Sequence, residues 1–195
     1  MAQDSSKAAF WESRYRDRVI PWDAGKVPAH LCTYASCLAP DTRILIPGCG
    51  SAYEAAYLAQ RGFDVLAVDF SPAAVELAQR TLAMNSAVVR LADFFTFDFG
   101  ESFQVIYERA FLCALPRTLW NDYARRCAEL LTPGGVLAGF YFFAETPRGP
   151  PFGTSQDELD ALLSGKFLRI DDQPVADSIE VFRGKERWQV WRKLT

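Results

Sequence analysis

Residues 44–80, ILIPGCGSAYEAAYLAQRGFDVLAVDFSPAAVELAQR, constrain the fold of this chain more than any other stretch. An apolar run ends in a Pro-Gly-Cys-Gly turn and an alanine-rich helical stretch follows. A second apolar run then ends in Asp69, and Ser71-Pro72 opens another helix. Strand, crossover helix and strand form a right-handed parallel unit, because only that hand lets the helix pack back onto the sheet. Gly48 and Gly50 supply backbone without Cβ at the sharp bend. Asp69 places a carboxylate at the carboxyl end of a strand, the edge at which ligands of open α/β sheets bind.

The rest of the chain continues the alternation. Strands are predicted at 43–46, 65–68, 87–91, 104–107 and 136–143, with helices near 29–38, 53–61, 72–84 and 119–130. Before them, SKAAFWESRYRDR reads as a helix carrying Phe10, Trp11 and Tyr15, and IPWDAGKVP as a loop punctuated by Pro21, Gly25 and Pro28. After them come a helix near 156–163 and two strands, KFLRIDDQ and ERWQVWRKLT, joined by a short segment containing Gly184. Strand following strand without a helix implies an antiparallel pair. The expectation is an α/β three-layer sandwich, with a mostly parallel seven-stranded sheet finished by an antiparallel C-terminal pair. One domain is expected over 1–195, with 1–40 as an N-terminal helical lid and 41–195 as the catalytic core. TPRGPPFG (146–153) reads as a rigid loop within it.

Composition narrows the function. A formal charge of -3 at pH 7 and a pI near 5.3 are poor preparation for a phosphate backbone, so nucleic acid is not expected as a partner. The arginines at 14, 16 and 18 are interleaved with Glu12 and Asp17 and read as a solvated helix face. No apolar run has the length of a membrane span or the look of a signal peptide, so no membrane partner is expected. Five cysteines without a CxxC pair fit a reduced cytoplasm. With one histidine, His30, a His-rich metal site is excluded by count and no metal is expected.

Two cofactor classes use a glycine turn with an acid about 20 residues on. In the nicotinamide fingerprint a third glycine lets the helix pack on the strand, but Tyr53 stands there and would push the helix away. Asp69 suits the two ribose hydroxyls of an adenosine in either class, and Ser71 already serves as the helix cap that Asp69 would otherwise be. Asp93 and Phe94 follow the third strand in the same layer, suited to an adenine amino group and ring. Most of Phe94, Phe95, Phe97 and Phe99 are expected in ordinary packing. Cys49 reads as a small packing residue, since no base lies beside it.

The stretches FWESRYRDRVIPWD, IPGCG, YERAFLCALP and GPPF, with LTPGG, resemble the thiopurine S-methyltransferase superfamily, which also holds the thiol and halide methyltransferases. The resemblance runs from about Phe10 to the last strand. It implies a class I methyltransferase fold and S-adenosylmethionine as cofactor. It further implies that Trp11, Tyr15 and Trp22 close over cofactor and acceptor, that Gly48 and Gly50 line the methionyl part, that Asp69 with Phe70 holds the ribose, and that Asp93 with Phe94 frames the adenine. Position 15 is often Trp in the family, and Tyr keeps the aromatic face. Arg109 matches an arginine near cofactor and acceptor in thiopurine enzymes where the halide branch carries Tyr. Trp22, Phe111, Tyr141 and Phe152 are the implied acceptor contacts.

The chain therefore reads as a small-molecule methyltransferase, a monomer or weak dimer, acting on an aromatic or heterocyclic thiol. Aromatic faces suit a sulfonium, each contributing about 0.5–2 kcal/mol. Asp23, Glu108 and Arg109 are the charged groups expected near the acceptor, with Arg109 and Asp23 the candidates for a catalytic role. A carboxylate of ordinary pKa is a poor base for a phenol or amine, whereas a thiol is partly ionised unaided, so the rate is expected to follow the free thiol's titration. Replacing Asp69 is expected to weaken cofactor binding with little loss of stability. The alternatives are transfer to oxygen, nitrogen or halide, a cofactor-binding protein without turnover, and a nicotinamide oxidoreductase, which Tyr53 opposes.

Overall fold

In the computed structural model, which describes residues 4–82, 87–146 and 148–195, the chain divides into two compact units, Met1–Asp98 and Phe99–Thr195. The first holds α1 (Ala8–Arg16), α2 (Ala29–Ala35), β1 (Arg43–Pro47), α3 (Tyr53–Gln60), β2 (Asp64–Asp69), α4 (Pro72–Leu82) and β3 (Val88–Leu91). β1 pairs in parallel with β2, Ile44 opposite Val65, and β2 in parallel with β3, Asp69 opposite Leu91. Ile44, Leu45 and Ile46 of β1 and Val65 to Val68 of β2 are all buried. Such unbroken apolar runs are what a parallel strand covered on both faces requires. α4 buries Ala74, Val75, Ala78 and Leu82, one stripe at helical spacing. Its cap is as expected, with the Ser71 hydroxyl accepting from Ala74 N at 3.2 Å ahead of Pro72. The end of that helix as read from sequence, residues 83 and 84, lies outside the described residues.

The second unit holds β4 (Phe103–Arg109), α5 (Trp120–Leu130), β5 (Leu131–Phe142), α6 (Gln156–Leu163), β6 (Phe167–Pro174) and β7 (Glu186–Lys193). β4 and β5 are parallel, and β7 is antiparallel to both β5 and β6. Trp188, Trp191, Tyr107, Tyr123, Tyr141, Phe103 and Phe167 are fully buried, so the largest side chains of this core are aromatic. Gln189 is polar yet fully buried, and its amide is satisfied: it donates to Gln156 Oε1 at 2.7 Å and accepts from Trp191 Nε1 at 3.1 Å. Ser155 and Glu158 form a reciprocal capping box at the start of α6.

The seven strands follow the order β3-β2-β1-β4-β5-β7-β6, the mixed sheet expected of the class. Two local readings need correction. β5 begins at Leu131 and not at 136, because Leu131 pairs with Phe103 before a register shift carries Thr132–Gly135 out of the ladder. The link between β6 and β7 is not a short turn but residues 175–185, and it carries a 3₁₀ turn, Glu180–Phe182, whose Phe182 is buried.

Candidate functional site

In the first unit the glycine turn, the end of β2 and the N-terminal segment meet. Gly48 and Gly50 have φ of +59° and +50°, the left-handed region that side chains avoid. A Cβ on Gly50 would stand 2.7 Å from the Tyr15 hydroxyl. The close approach that makes position 50 glycine is thus, within the protein itself, the approach of an aromatic from α1. Tyr15 accepts weakly from Trp22 Nε1 at 3.4 Å, and Trp22 stands edge-on to Trp11 with centroids 5.2 Å apart. Burial, with Asp69 nearby, pushes the Tyr15 phenol well above its ordinary value, so it stays neutral. Trp11 Nε1 donates to Ser5 O at 2.8 Å. The three aromatics of the expected lid form one cluster over the turn.

Asp69 is buried, and each of its oxygens accepts from one backbone N–H: Oδ2 from Gly50 at 3.1 Å and Oδ1 from Ser71 at 3.0 Å. Desolvation raises its pKa from 3.8 to about 6 against the pull of those N–H groups. The carboxylate therefore holds the glycine turn to the start of α4. A carboxylate oxygen can accept more than one hydrogen bond, so both keep capacity for a diol.

Asp23 is also a tie, not a free acid. Its Oδ1 accepts from Gly25 N at 2.8 Å and its Oδ2 from the hydroxyl of Ser51 in the turn. Asp93 is exposed and accepts from Phe95 N at 2.8 Å, while Phe94 is only 4% exposed and Phe70 is half-buried beside Asp69. Phe94 thus packs mainly in the core. Cys49 is buried and its thiol is pushed well above the ordinary value, which suits packing and not attack. Glu12 was missed from sequence. Its carboxylate accepts from Ser71 Oγ and Ala73 N, both at 2.8 Å, and pairs with Arg16 at 2.6 Å. It caps α4 from α1, and the N-terminal backbone donors hold its pKa below the ordinary value. No local pattern reveals a partner 59 residues away.

In the second unit a narrow pocket, partly open to solvent, is walled by Leu112, Cys113, Trp120, Tyr141 and Phe152 and carries one carboxyl, Glu108. Glu108 is 1% exposed; its Oε2 accepts from Phe111 N at 3.0 Å and Leu112 N at 3.4 Å. Burial and the nearby Glu186 raise its pKa from 4.5 to about 8. From sequence Glu108 is expected to be a carboxyl of ordinary pKa, and enclosure on a central strand overturns that. Phe111 is half-buried against Tyr123, with centroids 6.1 Å apart. Phe152, which lines the pocket, donates its N–H to Cys113 O at 2.6 Å. Arg109 has its Nε 3.6 Å from buried Glu186 and its guanidinium 5.0 Å over the Phe140 ring. Its charge is therefore largely answered within the protein, which weakens the case for Arg109 as the stabiliser of an anionic acceptor.

An adenosyl cofactor with a sulfonium centre fits the donor set of the first unit: a buried carboxylate with unspent acceptor capacity, a glycine turn and an aromatic cluster. The fold is that of the class I S-adenosylmethionine-dependent methyltransferases. Solved structures of this fold include Burkholderia thailandensis 1,6-didemethyltoxoflavin-N1-methyltransferase, crystallised with S-adenosylhomocysteine, at a TM-score of 0.75 and 21% identity over 96% of this chain and 87% of that one. The structure described for conversion of a disulfide bond into a thioacetal group during echinomycin biosynthesis superposes at a TM-score of 0.78, with 18% identity over 96% and 92% of the two chains.

Within that class the chain belongs to the thiopurine S-methyltransferase (TPMT) family, whose family model matches residues 6–194. Its relatives include the probable thiol methyltransferase 2 of Arabidopsis thaliana, 33% identical over 99% of this chain and 88% of the relative. The thiopurine S-methyltransferase of Aliivibrio fischeri strain MJ11 is 29% identical over 93% and 96%. This protein is thus a methyltransferase that uses S-adenosylmethionine and a small-molecule acceptor. Among the described residues no helix is long and apolar enough to cross a membrane.

Proposed function

We propose that the protein transfers a methyl group to the sulfur of an aromatic or heterocyclic thiol. The observation that carries this reading is the family match over residues 6–194, together with a relative named for thiols at 33% identity across almost the whole chain. The pocket of the second unit supports it, being aromatic-walled with a single carboxyl.

In this reading Asp69 accepts from the ribose hydroxyls, Phe70 flanks them, and the backbone at Gly48 and Gly50 lines the methionyl part. Asp93 and Phe94 frame the adenine, Phe94 from within the core. Trp11, Tyr15 and Trp22 turn aromatic faces toward a cation, exclude water and complete the acceptor's surroundings. When bound, the cofactor supplies an electrophilic methyl group. Phe111, Tyr141 and Phe152, with Trp22, shape the acceptor's position, and in-line positioning supplies much of the rate. Arg109, held by Glu186, sets the local field near cofactor and acceptor, and Asp23 serves by closing the loop after Trp22 onto Ser51. One domain over 1–195, with 1–40 as lid and 41–195 as core, acts in the cytoplasm as a monomer or weak dimer on small molecules, without nucleic acid, membrane or metal.

The test is a panel of thiophenols, heterocyclic thiols and matched phenols and amines, with S-adenosylhomocysteine release followed at neutral pH. Thiols are expected to turn over at least tenfold faster than the matched phenols. Equal or faster turnover of phenols or amines would overturn the sulfur assignment.

A further inference from the structure

A Cβ on Gly139, the register partner of Glu108 on β5, would lie 2.3 Å from Glu108 O and 2.9 Å from Glu108 Cγ, so glycine at 139 is what lets β5 lie this close to residue 108. Two backbone N–H groups hold Oε2. Oε1 is buried without a hydrogen-bond partner among the described residues, and the residue lines the pocket. A buried acceptor left unmade costs about 1–3 kcal/mol, more when charged, and such atoms call for an explanation. A ligand carrying a hydrogen-bond donor into this pocket would provide one.

We propose that Glu108 is a catalytic base for this methyl transfer: its Oε1 accepts the proton of the acceptor's S–H. The proposal rests on the reading of the second-unit pocket as the thiol site. The proton passes from sulfur to the carboxylate, the sulfur's electron pair forms the new C–S bond, the old bond to the donor sulfur breaks with its electrons, and the proton later leaves Glu108 for water. No further reactant is needed.

The environment equips the carboxyl for the task. Its pKa of about 8 is close to that of a thiol, so transfer is nearly isoenergetic in either direction. The titratable groups that feel it are Glu186 on β7, Cys113 after β4, Tyr141 on β5, and Tyr123 and Cys127 on α5. Burial pushes Cys113, Cys127, Tyr123 and Tyr141 well above their ordinary values, so they stay neutral. Burial raises Glu186 as well, although Arg109 pairs with it. Of the two carboxyls, Glu108 is the one that lines the pocket.

The experiment compares two thiols whose solution pKa values differ by about one and both lie above that of Glu108, so that each still carries its proton when the carboxyl ionises. In the wild-type enzyme the pH–rate midpoints are expected to coincide, because one protein group governs both. Midpoints that follow each thiol's own pKa would overturn the proposal while leaving thiol methylation intact. Absence of thiol turnover would instead overturn the reading beneath it. Glu108→Gln keeps an oxygen for the Phe111 and Leu112 N–H groups but cannot take a proton. It is expected to lower kcat at least a hundredfold near neutrality and to make the midpoints diverge. Binding without cofactor gives an independent readout. Wild type should bind a thiol at least tenfold more tightly than its S-methyl thioether, which has no proton to share, and Glu108→Gln should lose that preference. Unchanged kcat and unchanged preference would remove Glu108 from the chemistry.

Discussion

Asp69→Asn tests whether one buried carboxylate serves both fold and cofactor. The native pKa of about 6, against an ordinary 3.8, is a ratio of proton affinities above a hundred, or about 3 kcal/mol. The native state holds this proton more tightly than the unfolded chain does. The group's contribution is therefore fully present below pH 3.8 and is lost as pH rises to about 6. Asparagine carries no such dependence. One of its two side-chain termini can accept from Gly50 N or Ser71 N, and the other presents a donor to a donor, a mismatch of about 1–3 kcal/mol. Urea unfolding should thus find the variant less stable by that amount near pH 4, and close to or above wild type near pH 7.5. The difference between the two proteins should swing by about 3 kcal/mol. Calorimetric titration with S-adenosylhomocysteine near pH 7.5 should show at least a tenfold loss of affinity, since hydrogen bonds to a charged acceptor contribute about 1.5–3 kcal/mol. A stability difference that is flat with pH would refute the burial account, and unchanged affinity would remove Asp69 from the ribose site.

Gly50→Ala places a methyl group 2.7 Å from the Tyr15 hydroxyl at a φ of +50°, and should lower stability by about 1–2 kcal/mol from backbone strain with a further loss from the clash. Adding Tyr15→Phe should recover the clash part in a double-mutant cycle, because the ring carbon itself would sit at an ordinary 3.7 Å. Arg109→Met leaves Glu186 buried and unpaired and should cost about 3–5 kcal/mol in urea unfolding, most of it regained when Glu186→Gln is added. Glu12→Ala removes two carboxylate contacts at the start of α4. Hydrogen exchange should speed up in α1 while β1 and β2 keep their protection, and turnover should fall as the aromatic cluster loosens.

The layers of the fold were legible because they follow from local chemistry. The apolar runs of β1 and β2, Ser71-Pro72 before α4 and Ser155 with Glu158 before α6 each carry their structure in a few neighbouring residues. The link from β6 to β7 was misjudged because Phe182 holds its 3₁₀ turn by burial, which depends on partners distant in sequence. The candidate site divides the same way. Asp69, the glycine turn and the aromatic trio were readable from their places at strand ends and on α1. Glu12, Ser51 and Glu186 were not, since each matters through a partner across the fold. Glu108 was seen as an acid but not as a weak one, because its pKa comes from enclosure and from Glu186, and the nearest residue of that shell in sequence is Phe111. Arg109 looked free for an anion until its partner, 77 residues on by the numbering, was brought beside it.

The central claim is that the methyl group of S-adenosylmethionine reaches the sulfur of a small thiol on this protein. Supplying cofactor labelled in its methyl group, with an equimolar mixture of an aromatic thiol and its matched phenol, and identifying the labelled product by mass tests it most directly. The expected product is the labelled S-methyl thioether, formed one-to-one with S-adenosylhomocysteine. Label on the phenol's oxygen, or cofactor bound with no labelled product of either kind, would contradict it.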